Sequence, residues 1–411
     1  MTTIPLMLEP AVSTAPLPLP SPPAGTSPCR ARVATLQIGM GWFPDQPGGL
    51  NRYFLELLRH LPGAGARARG LVCASERVAE ETNGSVSAFA APATSLIRRW
   101  RRIRQCVERE LAGRRHDVVV SHFALYARPA LRAIRQRPLV VHFHGPWAAE
   151  GRAEGAGRLA QAIKRRVERP VYGAADRIIV LSRAFGEILC REYGVSEERL
   201  RIVPGGVDTA RFDVCETRSQ ARRLLGWPTD RPIVLAVRRL ASRMGLEDLI
   251  DATKVVRARR PDALLMIAGA GRLTRELQAR IEARGIREGV RLLGFLPDDD
   301  LPLAYRAADL TVVPSVALEG FGLSAAESLA AGTPVVVTPV GGLPEVVQGL
   351  SADLVLARPG PRELAEVVSA LLARQVKVPS ARACREHARR QFDWSVVARR
   401  VRGVYEEVVR A

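Results

Sequence analysis

The chain reads as an α/β protein built from two doubly wound parallel-sheet domains that face a cleft. Three observations predict this. Short runs of β-branched and apolar residues recur without polar alternation, as strands buried on both faces require. Run after run passes through a glycine-containing turn into a helical segment, the order that parallel crossovers need. The length of 411 residues, 47% of them hydrophobic, suffices for two cores of ordinary size. The expected divisions are a Pro-rich disordered tail (1–30), a first domain (31–212), a second domain (213–390) and a closing helix (391–411).

The formal net charge of +19 comes almost wholly from arginine and favours anionic partners: nucleoside diphosphates, anionic lipid surfaces or nucleic acid. An Arg-rich coding bias gives the same balance. The six cysteines (Cys29, Cys73, Cys106, Cys190, Cys215, Cys384) show no C-x-x-C pair and no histidine partner spacing. They read as reduced thiols of a cytoplasmic protein with no structural zinc. No apolar run reaches the length of a membrane span, and no secretory signal opens the chain.

The first strand is Arg32–Ile38, followed by a loop that brings Gly48 and Gly49 to a helix running from Leu50 to Leu61. Backbone N–H groups at such a helix start suit an anion or a sugar; a plain turn is the other reading. Residues 71–90 read as a second strand with its loops. The next helix carries Leu96, Trp100, Ile103, Val107 and Leu111 at spacings of three and four, with Arg98, Arg99, Arg101, Arg102 and Arg104 on its other face. It is either a core helix with a solvated arginine face or a segment that lies on an anionic membrane. Residues 117–121 and 138–143 are further strands. The second ends in His142 and His144, one of which points into the crevice where α/β folds bind ligands; the other is read as buried structure. A basic helix (159–169) and a strand (176–182) with Ser182 as a helix cap follow.

Past a linker at 212–217, a strand at 231–237 leads into Arg238-Arg239-Leu240-Ala241-Ser242-Arg243-Met244-Gly245, a basic loop suited to a diphosphate. Gly269-Ala270-Gly271 begins like a dinucleotide fingerprint, but Thr274 stands at the third glycine, so no nicotinamide site is read there. Residues 290–297 form a strand and loop, and 301–308 a short helix. Then comes the densest stretch, 309–338: a buried strand, the loop Glu319-Gly320-Phe321-Gly322, a helix from Leu323 to Gly332, and the strand Val335–Val337. The helix start offers free N–H groups and a positive dipole end to phosphate. Glu319 and Glu327 beside it are anions at an anion site, which makes sense if they bind neutral sugar hydroxyls.

Glu319-Gly320-Phe321-Gly322-Leu323 through Glu327, then Ala331-Gly332-Thr333-Pro334-Val335, closely resembles the signature of glycosyltransferase family 4. The resemblance covers about residues 32–411, with dense motifs only in the second half. It implies a GT-B fold of two Rossmann-like domains and a retaining, nucleotide-sugar-dependent enzyme. By the same resemblance, Glu319 contacts donor-sugar hydroxyls, Glu327 holds the ribose, and the amides of Phe321, Gly322 and Leu323 cradle sugar and diphosphate. Arg239 neutralises the departing diphosphate, and Phe295 and Leu296 meet the base. Gly48 and Gly49 lie against the donor diphosphate and acceptor, and His144 lies near donor sugar and acceptor. The family lysine is replaced by Met244, with Arg243 next to it as a substitute charge. Gly205 replaces an asparagine of the segment before the linker, read as two residues that share a left-handed turn. The terminal helix is expected to return to the first domain.

The expected activity is transfer of a hexose-type group from a nucleoside diphosphate sugar to an acceptor hydroxyl, with retention and without metal or other cofactor. The acceptor is a saccharide, a lipid-linked saccharide or a small natural product, with envelope polysaccharide or glycolipid synthesis on the inner membrane face favoured by the basic first domain. The reading from another class is a catalytically silent sugar- or lipid-binding scaffold. A nucleic-acid reader is not expected, because the arginine helices lack interleaved aromatics.

Overall fold

A computed structural model of the chain describes residues 33–149 and 157–410. The proline-rich tail expected at 1–30 lies outside the described residues. Two parallel sheets carry the fold. The first contains β1 (Val33–Gly41), β2 (Ala66–Cys73), β3 (Val86–Ala90), β4 (Val118–Ser121), β5 (Leu139–Phe143), β6 (Arg177–Val180) and β7 (Leu200–Ile202), in the spatial order β3-β2-β1-β4-β5-β6-β7. The second contains β8 (Ile233–Val237), β9 (Leu264–Ala268), β10 (Val290–Gly294), β11 (Leu310–Val313) and β12 (Val335–Val337), in the order β10-β9-β8-β11-β12.

Both orders reverse direction once, between β1 and β4 and between β8 and β11. At such a reversal the crossovers leave to opposite faces and open a crevice beyond the carboxyl ends of the strands. Every residue of β4, β5, β9, β11 and β12 is buried, which explains their unbroken apolar runs. One core fills the second domain, and two cover the opposite faces of the first sheet.

Several boundaries differ from the sequence reading for identifiable reasons. Residues 66–90 hold two strands with the short helix Arg77–Glu81 between them, where one strand was expected. The basic helix runs from Arg158 to Ala174 and passes through Pro170. Val171 and Tyr172 beyond it are buried, so packing outweighs the lost backbone bond. Leu96, placed on the core face by its spacing, is 43% exposed, while Arg99 turns inward and donates to the Tyr126 hydroxyl at 2.8 Å. Gly205 is not held in a left-handed turn: a Cβ there would stand 2.6 Å from the Phe321 ring, so close approach between the domains requires the glycine.

The last helix, Trp394–Arg410, lies on the first domain against helix Gly49–His60 and β1, β4, β5 and β6. Val397, Val401, Val404, Tyr405 and Val408 are its buried stripe, at helical spacing. Glu407 pairs with Arg177 at 2.7 Å. The five described cysteines are all free thiols. No helix among the described residues is long and apolar enough to cross a membrane.

Candidate active site

The second domain contributes its part at the ends of β8 and β11. Beyond β8, the Arg238 side chain turns inward and is 8% exposed. Its guanidinium forms an ion pair with Glu319, donates to Ser315 Oγ at 2.6 Å and Ser324 Oγ at 3.2 Å, and touches Met244 Sδ. Ser315 also donates to Glu319, at 2.9 Å. Burial pushes the Glu319 carboxyl upward, but Arg238, Ser315 and the charge of Arg243 outweigh it, and the net shift is below the usual carboxylate range. Glu319 is therefore an ionised acceptor held in place.

The loop that carries Glu319 packs against a second glycine turn. Gly342 N–H donates to the Glu319 carbonyl at 2.9 Å, and a Cβ at Gly341 would stand on that same carbonyl oxygen. Gly322, with φ of +94°, caps helix Leu323–Ala330 and aims its start at the cleft. Glu327 projects from this helix, buried, and accepts from the Tyr305 hydroxyl at 2.9 Å. Burial raises its carboxyl above the ordinary value against the opposing charge of Arg52.

Arg52 comes from the first domain. Helix Gly49–His60 begins at the open turn of Gly48 and Gly49, where an added Cβ would meet nothing within 4 Å. One turn on, Arg52 reaches across the cleft to form an ion pair with Asp298, and its other nitrogen lies 3.8 Å from Glu327. Arg211 also donates to the Asp298 backbone carbonyl. Arg52 and Arg211 thus meet the carboxylates of Asp298 and Glu327 across the cleft.

Across the cleft His122, His142 and His144 stand at the ends of β4 and β5. Burial keeps all three neutral, with His144 pushed down to about 3 and the other two well below their usual value. Their ligand atoms lie within 4.8 Å of one another, close enough to raise the question of a metal. The rings answer it: they are stacked with interplanar angles of 17–22°. The His122 nitrogens are already engaged, Nε2 with Gln37 Oε1 at 2.9 Å and Nδ1 with His144 Nε2 at 3.3 Å. His142 also has both nitrogens paired, with Tyr53 and Tyr405. The set is a hydrogen-bonded stack.

The structure thus gathers Glu319, Phe321, Gly322, Leu323 and Glu327 at one loop and helix start, with Arg239 and Arg243 on the adjoining loop. Phe321 itself turns away, its ring 5.3 Å from Phe392, so only its backbone is available to the cleft. Arg243 donates to the Leu318 carbonyl at 2.9 Å and braces the loop. Arg239 is exposed at the mouth of the same loop. Phe295 is 74% exposed just before Asp298, with Leu296 half-buried beside it. Sequence reasoning missed Arg238, Arg52, Asp298, Tyr305 and His122. Arg238 was legible as the first residue past a buried strand; Arg52 was legible only as one turn beyond the glycine pair.

The chain as a whole resembles known proteins. Residues 217–391 match the family model described as Glycosyl transferases group 1, and residues 47–211 that described as Glycosyltransferase Family 4. The chain is 32% identical to the D-inositol 3-phosphate glycosyltransferase of Xylanimonas cellulosilytica, over 92% of this chain and 97% of that protein. Among solved structures, sucrose-phosphate synthase from Thermosynechococcus elongatus superposes with a TM-score of 0.74 at 22% identity, over 92% of this chain and 99% of that one. HepE of Anabaena, solved with UDP, superposes with a TM-score of 0.73 at 20% identity, over 91% and 100%; at these identities the likeness is one of fold. A match that spans nearly the whole of a curated relative carries more, and with a family model matching each half the chain belongs to glycosyltransferase family 4, as a glycosyltransferase of the GT-B type.

Proposed function

We propose that the protein moves a hexose-type group from a nucleoside diphosphate sugar to an acceptor hydroxyl with retention of configuration, needing no metal. The carrying observation is the pair of carboxylates on either side of one helix start, Glu319 ionised against Arg238 and Glu327 buried beside Arg52. Glu319 accepts hydrogen bonds from the sugar, and Glu327 from the ribose. The diphosphate lies between them at the start of helix Leu323–Ala330, with Gly48 and Gly49 opposite and Arg239 and Arg243 as the nearest exposed and half-buried cations. As the bond from the anomeric carbon to the phosphate oxygen breaks, the acceptor oxygen bonds to that carbon on the same face, and the departing oxygen takes the acceptor proton. Phe295 offers its exposed face to the base. Because HepE is described in complex with UDP and with UDP-glucose, a uridine donor heads the panel to be tried.

A lipid-linked or envelope acceptor draws support from two helices of the first domain, Leu96–Gly113 and Arg158–Ala174. On the first, Ile97 (75% exposed) stands out among exposed Arg98, Arg101 and Arg102; on the second, Leu159 (76%) and Ile163 (57%) stand out near exposed Arg166. Apolar side chains framed by arginine suit an anionic bilayer. Loss of vesicle binding on changing Arg98, Arg101 and Arg102 to Gln supports that role; absence of binding by the wild type removes it.

The activity is tested by nucleotide release from a panel of UDP, GDP and ADP sugars, with and without EDTA. Release from one donor, unaffected by EDTA and lost in Glu327→Ala and Arg239→Ala, supports the reading. Failure to bind any nucleotide would turn it towards a silent scaffold.

A further inference from the structure

The histidine stack is tied to the sheet by a chain of hydrogen bonds whose direction can be followed atom by atom. Thr35 in β1 has one hydroxyl proton, and it goes to the Arg67 carbonyl at 3.2 Å. Its oxygen is then left to accept, and it takes a proton from Gln37 Nε2 at 2.9 Å. That contact orients the buried amide, so Gln37 Oε1 faces His122 Nε2 at 2.9 Å and accepts its proton. A neutral imidazole carries one proton. His122 Nδ1 is therefore an acceptor, and the atom facing it, at 3.3 Å, is His144 Nε2. The second amide proton of Gln37 faces the Tyr405 hydroxyl at 3.4 Å, which in turn lies 2.9 Å from His142 Nε2.

We infer that this chain, from the Arg67 carbonyl through Thr35, Gln37 and His122, fixes His144 as its Nε2–H tautomer and leaves Nδ1 as a hydrogen-bond acceptor for a substrate hydroxyl. Gln37 and His122 are then positioning residues that act through His144. The substrate half of this inference rests on the glycosyl-transfer reading above; the tautomer half does not. The remaining groups around the stack do not supply a competing charge: Tyr53 from helix Gly49–His60 and Tyr405 from the last helix are buried phenols held neutral by burial. A neutral acceptor nitrogen in a stack this dry orients a hydroxyl without removing its proton. That suits a reaction in which the departing phosphate oxygen takes the proton. It also explains a buried glutamine in the middle of a buried strand, since a hydrocarbon there would leave the tautomer undetermined.

The test is long-range ¹⁵N–¹H correlation on protein labelled at histidine, with His144 assigned by its loss in His144→Asn. The expected result is one tautomer of His144, protonated at Nε2, and the same for His122. Gln37→Leu and His122→Phe should each convert His144 to a mixture and lower kcat for transfer in proportion to the Nε2–H fraction lost, about twofold for an equal mixture, with donor KM little changed. His144 protonated at Nδ1 in the wild type, the outcome of the opposite amide orientation, would overturn the inference; so would an unchanged tautomer in both variants. If the tautomer is as stated and its scrambling leaves kcat untouched, the role of Nδ1 towards substrate is overturned. If no donor is bound at all, the tautomer result still decides the chain, and the glycosyl-transfer reading is what fails.

Discussion

Arg238 and Glu319 show how one side chain sets the state of another. In the dry end of the cleft, burial alone would lift the Glu319 carboxyl, and the Arg238 guanidinium reverses the sign. Removing that charge as Arg238→Met should let protonation occur at higher pH, so transfer should fail earlier as pH drops. A pH–rate profile reads this as an acid limb displaced upward, and an unmoved limb would show that Glu319 is controlled elsewhere. The rate at neutral pH should fall on the order of a hundredfold, since stranding one partner of a buried pair costs about 3 kcal/mol. Glu327 runs the other way. Its folded value is raised, first by burial. Between the ordinary carboxylate value and that raised value, the unfolded chain has released a proton the folded chain keeps. Stability therefore falls as pH rises through that window and the full penalty applies above it. Glu327→Gln, which still accepts from Tyr305, should raise Tm at pH 7 by roughly 2–4 °C, about 1 kcal/mol in a domain of this size. The gain should vanish below the ordinary carboxylate value. An equal gain at both pH values would mean the charge is not its source.

The loop, helix and strand from Glu319 to Val337 form the element whose local signals were strongest, and the reason is backbone geometry. Gly322 takes a φ of +94° at the helix cap, and a Cβ there would meet Leu343 Cδ2 at 2.4 Å. Gly322→Ala should cost roughly 1–3 kcal/mol and lower Tm, with donor affinity falling as the helix start shifts; a variant as stable as the wild type would mean that the turn relaxes freely. Requirements of this kind act within a few residues, so they leave a mark that one sequence can show. The glutamates, loop glycines and helix stop were legible for that reason, as were the buried strands. Arg52, His122 and Tyr405 were not, because their roles come from partners distant in the chain: Asp298 lies 246 residues from Arg52, and Gln37 lies 85 residues from His122 and 368 from Tyr405. Arg99 was misplaced for a related reason: helical spacing put it on the solvent face, but Tyr126 on another element receives it. Spacing assigns a face; only packing says what that face meets.

At the scale of the whole molecule, the two domains meet through Arg52, Arg211, Asp298 and Glu327 on one side of the cleft and through Gly205 against Phe321 near the linker. The second contact is a close-packed pivot. The first is a cluster of charges in which Asp298 is 42% exposed, so its pairs with Arg52 and Arg211 contribute about 0–1 kcal/mol each and are weakened by salt. A cleft joined by a tight hinge and a weak electrostatic clasp should open and close at modest cost. Arg52 also stands where a nucleotide would approach Glu327, so a ribose that takes this carboxylate must share it with Arg52 or displace it. Arg52→Gln should therefore loosen the ligand-free protein and increase its radius of gyration in small-angle scattering at low salt. The wild type should approach the same value when salt is raised to about 1 M, where the screening length falls to roughly 3 Å. Nucleotide should compact the wild type and the variant alike, because closure then depends on Glu327 and the helix start. If Arg52→Gln leaves the radius unchanged at every salt concentration, the hinge alone holds the cleft and the charge cluster has no part in closing it.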